Sequence, residues 1–217
     1  MAFIRRPFWL KRKFFSQRFL INLEGLVRLH HQIYPEIPPQ GIYFEALVEK
    51  AFKIVRIPFT KVKITTRNTA KHDLVVGNTK FSLKTETGDG TKEKSITITK
   101  MCTTEKDPWE AQPLINHVLQ HLSRYDYILM LRAIWERPVI HYQLVDILVK
   151  LLKFMKKANL EIVGDRKGRK SLGAEVNRKD KKVFYITFDG SDGKCSIRGL
   201  AVTDCQMLHA WDVQIAD

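Results

Sequence analysis

Three residues of this 217-residue chain have the types and spacing to do chemistry together: Glu45, Asp73 and Lys84. Glu45 precedes Asp73 by 28 residues, and Asp73 precedes Lys84 by 11. Two carboxylates are hard oxygen donors for a divalent cation such as Mg2+, which keeps several of its waters and needs only one or two acids. A lysine beside them can orient a water and stabilise charge developing on phosphoryl oxygens. Charge neutralisation, hard ligands and a positioned nucleophile are what phosphodiester hydrolysis requires. Glu49, one helical turn beyond Glu45, is a reserve acid, as are Glu86 and Glu110.

The elements that must position the trio can be read from periodicity. Phe19, Leu20, Leu23, Leu26, Val27 and His30 recur at helical spacing and predict a helix over 17–33. Pro35, Pro38 and Pro39 end it, since proline removes a donor and fixes φ. A second helix is predicted over 42–55, with Phe44, Leu47, Val48, Ala51, Phe52 and Val55 inward and Glu45 at the edge between core and solvent. Val62, Ile64 and Thr66 alternate as a strand. Strands are also predicted over 73–76 and 80–87, joined by Gly77-Asn78-Thr79 into an antiparallel hairpin. Side chains alternate across a strand, so Phe81 and Leu83 suit the core while Ser82, Lys84 and Glu86 share the opposite face. Pairing across the turn brings Asp73 near Lys84. A fourth strand is expected over 95–99, and a helix capped by Asp107 over about 109–125. The apolar run 127–135 reads as a buried strand, and 140–158 as a long helix. The remainder is β-like, with turns at Gly164-Asp165 and Gly190-Ser191-Asp192-Gly193.

Lys and Arg number 37 against 23 acids, a formal net charge of +14, which points to a polyanionic partner. Nucleic acid comes first and an anionic membrane second. No apolar run nears the roughly 20 residues that span a bilayer, so no membrane span is expected. Cys102, Cys195 and Cys205 are odd in number and widely spaced, which fits a reducing, cytoplasmic compartment better than a disulfide framework or zinc site. No phosphate-cradling loop and no Gly-x-Gly-x-x-Gly occurs, so no nucleotide cofactor is expected. The first twenty residues interleave Arg5, Arg6, Lys11, Arg12, Lys13 and Arg18 with aromatics. That composition suits a basic arm or packed helix, and also a transit peptide. His117 and His121 stand four apart and could bind zinc, although ordinary helix positions explain them as well. His30 and His31 read as surface or interface residues.

A helix with Phe44-Glu45, a strand with Asp73-Leu74-Val75-Val76 and then Ser82-Leu83-Lys84 resembles the PD-(D/E)xK nuclease superfamily over residues 40 to 135. Within it the order is most similar to small type II restriction endonucleases, including an archaeal type that cuts CGCG with blunt ends. The resemblance implies an α/β (α+β) fold with a central mixed sheet flanked by helices and a C-terminal β-rich extension. It implies double-stranded DNA as substrate, Mg2+, 5′-phosphate and 3′-hydroxyl ends, and a homodimer in a prokaryotic cell. The main-chain carbonyl of Leu83 would complete the metal's ligands. Two departures stand out: His72 replaces the proline before Asp73, and Ser82 replaces the acid two residues before Lys84. The second acid would then come from the helix, as Glu45. The chain divides as a basic arm and helix over 1–40, a nuclease core over 41–157 and a part for recognition or dimerisation over 158–217. DNA contacts are expected from Ile37 on the proline loop and from Arg166, Lys167, Arg169 and Lys170. A junction-resolving nuclease and a non-catalytic nucleic-acid-binding protein are the rival readings.

Overall fold

The computed structural model describes residues 14–61, 73–104, 108–165 and 169–215. Most of the basic arm, the strand expected over 62–66, His72, Asp107, Arg166 and Lys167 lie outside the described residues. Helix α1 (Gln17–Ile33) starts at Ser16, whose hydroxyl accepts from the Phe19 N–H at 3.2 Å. Helix α2 (Ile42–Val55) follows Gly41 and stops at Arg56, which adopts the left-handed conformation that terminates helices. Both helices end where their apolar periodicity does.

Six strands form a mixed sheet: β1 (Phe59–Lys61), β2 (Leu74–Val76), β3 (Thr79–Glu86), β5 (Tyr127–Glu136), β6 (Val139–Leu148) and β11 (Gln206–Gln214), in that spatial order. Only β3 and β5 run parallel, the helix α3 (Ala111–Leu122) lying between them in the chain. A second, antiparallel sheet holds β4 (Ser95–Thr103), β10 (Lys194–Ala201), β9 (Lys181–Phe188), β8 (Lys170–Arg178) and β7 (Glu161–Asp165). The helices α1 and α2 bury Phe19, Leu23, Phe44, Val48 and Phe52 against Phe81, Leu129, Leu131, Tyr142 and Trp211 on one face of the mixed sheet. On its other face, Ile128, Met130, Val145 and Ile147 pack with Leu114, Val118 and Leu122 of α3 and with Phe184, Ile186 and Ile197 of the second sheet. The fold is α+β, a mixed sheet flanked by helices with a β-rich C-terminal part.

The segment expected as a long helix over 140–158 is different. It is β6, followed by a single turn α4 (Val149–Leu152) and a 3-10 stretch at Lys153–Lys157. Ile140, Tyr142 and Leu144 face the α1–α2 layer, while Val145 and Ile147 face α3. A strand buried on both faces is a nearly unbroken apolar run, which a helical pattern also fits. Pairing with β5 from Tyr127↔Leu148 to Glu136↔Val139 decides the matter. The helix α3 also begins later than expected, after Glu110, and ends at Leu122.

Arg132 of β5 is wholly buried on the α3 face. Its Nε donates to Glu86 at 2.7 Å, and its remaining donors reach the carbonyls of Lys92, Glu93 and Ser95 and the Gln143 side chain. Glu86 in turn accepts from the Thr97 N–H at 2.8 Å. Arg132→Ala leaves a buried carboxylate unpaired and should lower the unfolding free energy by about 3–5 kcal/mol. Arg132→Lys should rescue little of that, because an ammonium offers three donors to a site that uses five. Urea denaturation of the three proteins measures both, and equal midpoints for Arg132→Ala and the unsubstituted chain would refute the role.

Candidate active site

The strand β2 is short, and Asp73 lies immediately before it. The register Leu74↔Phe81 sets Asp73 opposite Ser82. The Asp73 N–H donates to the Phe81 carbonyl at 2.8 Å, closing the hairpin. Its carboxylate Oδ2 accepts from the Leu83 N–H at 2.7 Å and from the Ser82 hydroxyl at 3.1 Å. The backbone of the Ser-x-Lys segment therefore fixes the orientation of Asp73. Phe81 and Leu83 are buried in the α1–α2 layer, which leaves Ser82 and Lys84 on the other face of β3.

Glu45 reaches this point from α2. It is half-buried, and burial raises its pKa above the ordinary carboxylate value; the nearby Asp73 charge raises it further, while Lys61 and Lys84 pull it down. Glu45, Asp73 and Lys84 thus share one electrostatic neighbourhood. Two converging carboxylates that repel one another fit a divalent cation, whose charge would relieve that repulsion. Among the described residues no group of three or more His, Cys, Asp and Glu could hold a metal, so a cation here would rest on these two acids and backbone or water oxygens.

The reserve acids have other partners. Glu86 is held by Arg132, 9% of its side chain exposed. Glu49 pairs with Lys61 at 2.6 Å. Glu110 is exposed in front of α3 and makes no side-chain capping bond. Lys61 is the residue that sequence reasoning missed. It ends the edge strand β1 opposite Leu74, next to Asp73, and no motif distinguishes it from the other lysines. Its pKa is raised first by the Glu49 hydrogen bond, then by the charges of Glu49, Glu45 and Asp73.

The expected DNA contacts are placed as follows. Ile37 is 57% exposed on a loop that two histidines hold: His30 donates to the Ile37 carbonyl at 2.9 Å, and His31 to that of Pro35 at 2.8 Å. Both histidines are buried rather than superficial, and the second ring nitrogen of His31 accepts from the Tyr142 hydroxyl at 2.7 Å. The Arg169 guanidinium lies over the Trp109 ring, 4.5 Å from its centroid. Trp109 donates to the carbonyl of Lys170, whose side chain is exposed. Gly190 packs so closely below this pair that a Cβ there would fall 2.0 Å from the Arg169 carbonyl oxygen. Beside the Lys84 strand lies a cleft of about 490 Å³ lined by Gln40, Thr85, Thr87, Thr91, Thr97 and Thr99, among others. Hydroxyls and amides are common phosphate-contacting groups.

His121 of α3 is mostly buried near Lys84, and its ring contacts Tyr125 with centroids 5.6 Å apart.

A family model described as SmaI, type II site-specific deoxyribonuclease, matches residues 5–213. The chain is similar to the type II restriction enzyme SmaI of Serratia marcescens, 30% identical over 150 residues. That alignment takes in 67% of this chain and 61% of the Serratia enzyme, less than two thirds of its length. No solved structure matches the chain.

Burial, with the Lys84, Arg124 and His117 charges, lowers the pKa of His121 to about 4. In the unfolded chain it returns to about 6.5. Between those values the unfolded chain binds the extra proton, so stability is intact above about pH 6.5 and falls as the pH drops toward 4. His121→Gln should flatten that part of the profile, as measured by urea midpoints at pH 7, 6 and 5. An unchanged slope would show that other groups carry it.

Proposed function

The chain belongs to the SmaI family of type II site-specific deoxyribonucleases, and on that footing we propose that it hydrolyses phosphodiester bonds of double-stranded DNA at a short palindromic site, with Mg2+, leaving 5′-phosphate and 3′-hydroxyl ends. The observation that carries the reading is the convergence of Glu45, Asp73 and Lys84 in one electrostatic neighbourhood. In this reading the site is of the PD-(D/E)xK type, with its second acid on α2 in place of Ser82.

Glu45 and Asp73 would hold the cation, together with the main-chain carbonyl of Leu83. When bound, the divalent ion supplies charge neutralisation at the phosphate and a more acidic water. Asp73 is kept in place because its Oδ2 is engaged by the Leu83 N–H and the Ser82 hydroxyl. Lys84 orients the attacking water and stabilises the phosphoryl oxygens. Lys61 balances the acids on the opposite side and engages Glu49, which would leave Glu45 and Asp73 for the cation. The hydroxyl-lined cleft and the exposed Lys170 would contact the duplex, with Arg166, Lys167 and Arg169 as further contacts. A homodimer places one site on each strand of a palindrome. The activity belongs to the cell interior, where the DNA is; no helix among the described residues is long and apolar enough to cross a membrane.

Digestion of a sequenced plasmid with Mg2+, followed by end mapping, tests activity, specificity and cut geometry together. Asp73→Ala and Glu45→Gln should each lower the cleavage rate by at least about a thousandfold while DNA binding persists, since loss of a metal-ligand charge removes the chemistry and not the basic surface. Ser82→Ala should cost at most about tenfold, the worth of one neutral hydrogen bond. Glu49→Gln should be similarly mild. A dead Glu49→Gln with an active Glu45→Gln would reassign the second acid.

Non-specific affinity should fall with salt at a log–log slope of about −0.9 per phosphate contact. A filter-binding titration between low and physiological salt reads the slope, and a flat line would detach the +14 charge from DNA.

A further inference from the structure

Ten large hydrophobic side chains are markedly exposed among the described residues, and seven of them fall within one stretch of 23 residues: Ile21, Leu29, Ile33, Tyr34, Ile37, Ile42 and Tyr43. On α1 the exposed line is Ile21, Gly25, Leu29 and Ile33, spaced every four residues, the ridge that packs into a matching groove on a second helix. It continues over the α1–α2 loop, where the Tyr34 and Tyr43 rings lie 6.2 Å apart. Side chains of this size, about half exposed, offer on the order of 100 Å² each, or roughly 700 Å² together. That exceeds the patch a typical monomer shows and approaches the ~800 Å² per partner of a standard interface.

The charge of this stretch is as unusual as its apolarity. The chain as a whole has 37 Lys and Arg, yet residues 21–43 contain one, Arg28. Arg28 is paired at 2.7 Å with Glu24. Apart from Arg18, which is exposed at the N-terminal end of the same helix face, this face carries no unpaired cation among the described residues, a poor fit for phosphates and a good one for another protein, whose interface cores are depleted in charge and enriched in tyrosine.

Gly25 identifies the partner. It stands exposed in the interior of a 17-residue helix, where glycine costs roughly 1 kcal/mol relative to alanine. Among the described residues nothing requires it, because a Cβ there would meet no atom within 4 Å. Ile21 and Leu29 lie four residues to either side. Two copies of α1 crossing antiparallel at Gly25 set Ile21 of each against Leu29 of the other, the self-complementarity that a twofold interface demands.

We propose that this face, α1 together with the α1–α2 loop, is the interface between two copies of the chain, with the two helices crossing at Gly25. The assignment rests on the nuclease reading only for its purpose: the interface continues into the start of α2, two residues before Glu45, and so fixes the separation of two active sites.

Sedimentation of the full-length protein, without DNA or metal, tests it. The unsubstituted chain should be a dimer at micromolar concentration. Leu29→Asp with Ile33→Asp should weaken self-association at least a hundredfold while the circular dichroism stays unchanged. Cys102, Cys195 and Cys205 are all buried, so a thiol introduced by Gly25→Cys should cross-link dimers under mild oxidation, and one introduced by Gly88→Cys, also in open space, should not. A monomeric chain overturns the proposal. A dimer that survives the double substitution, or that Gly88→Cys cross-links as well as Gly25→Cys, overturns it too. Plasmid cleavage is scored separately: a dimer that never cuts DNA sinks the nuclease reading and leaves the interface standing.

Discussion

A buried guanidinium joins the sheet that carries Asp73 and Lys84 to the second sheet. Arg132 projects from the middle of the mixed sheet, and all five of its N–H groups are bonded, to Glu86 at the end of β3, to Gln143 on β6 and to three carbonyls of the segment leading into β4. A charge taken out of water is tolerable only when its donors are satisfied in this way. The consequence reaches the candidate site, because Glu86 lies on the same strand and the same face as Lys84, two residues along. With Glu86 fixed by Arg132 on one side and by the Thr97 N–H on the other, the end of β3 cannot shift or twist freely. Ser82 and Lys84 are therefore presented from a strand clamped at one end by Arg132 and at the other by the hairpin to Asp73.

Some of the architecture was legible in the sequence and some was not, for different physical reasons. Local signals were sufficient for α1, α2 and the β2–β3 hairpin, because caps, prolines and a clean periodicity agree with the tertiary burial. They failed for β6, whose two faces are both buried and whose identity depends on ten rungs of pairing with β5. They also failed for His30 and His31, which are polar in type but sit under a proline loop and supply its missing hydrogen bonds. Among the candidate site residues, Asp73 and Lys84 could be placed because one hairpin joins them. Lys61 could not, since only the pairing of β1 with β2 brings it beside Asp73.

Charge is distributed over the surface with a purpose that composition alone hides. The excess of lysine and arginine suggests a polyanion, yet residues 21–43 are almost free of it. A basic surface and an apolar, charge-poor one on the same small protein are suited to different partners, and the α2 helix carries Glu45 directly next to the second of them. In the proposed arrangement, recognition of DNA and association of subunits therefore meet at the active site.

The serine at position 82 is best understood as an exchange within the site. A carboxylate at that place would stand across the hairpin from Asp73, on the face that also carries Glu86, and would add a third negative charge to a pair that already repels. A hydroxyl instead donates to Asp73 and helps to hold it. The second acid then has to arrive from outside the sheet, and α2 delivers Glu45 into a half-buried position where burial and Asp73 both disfavour its charge. Such a carboxylate is poorly satisfied by the protein alone, and a divalent cation is the partner that would satisfy it best. Separating the two acids onto a helix and a strand would thus let a bound divalent cation relieve an incompletely neutralised pair, with Lys61 and Lys84 offsetting part of that repulsion in the protein alone.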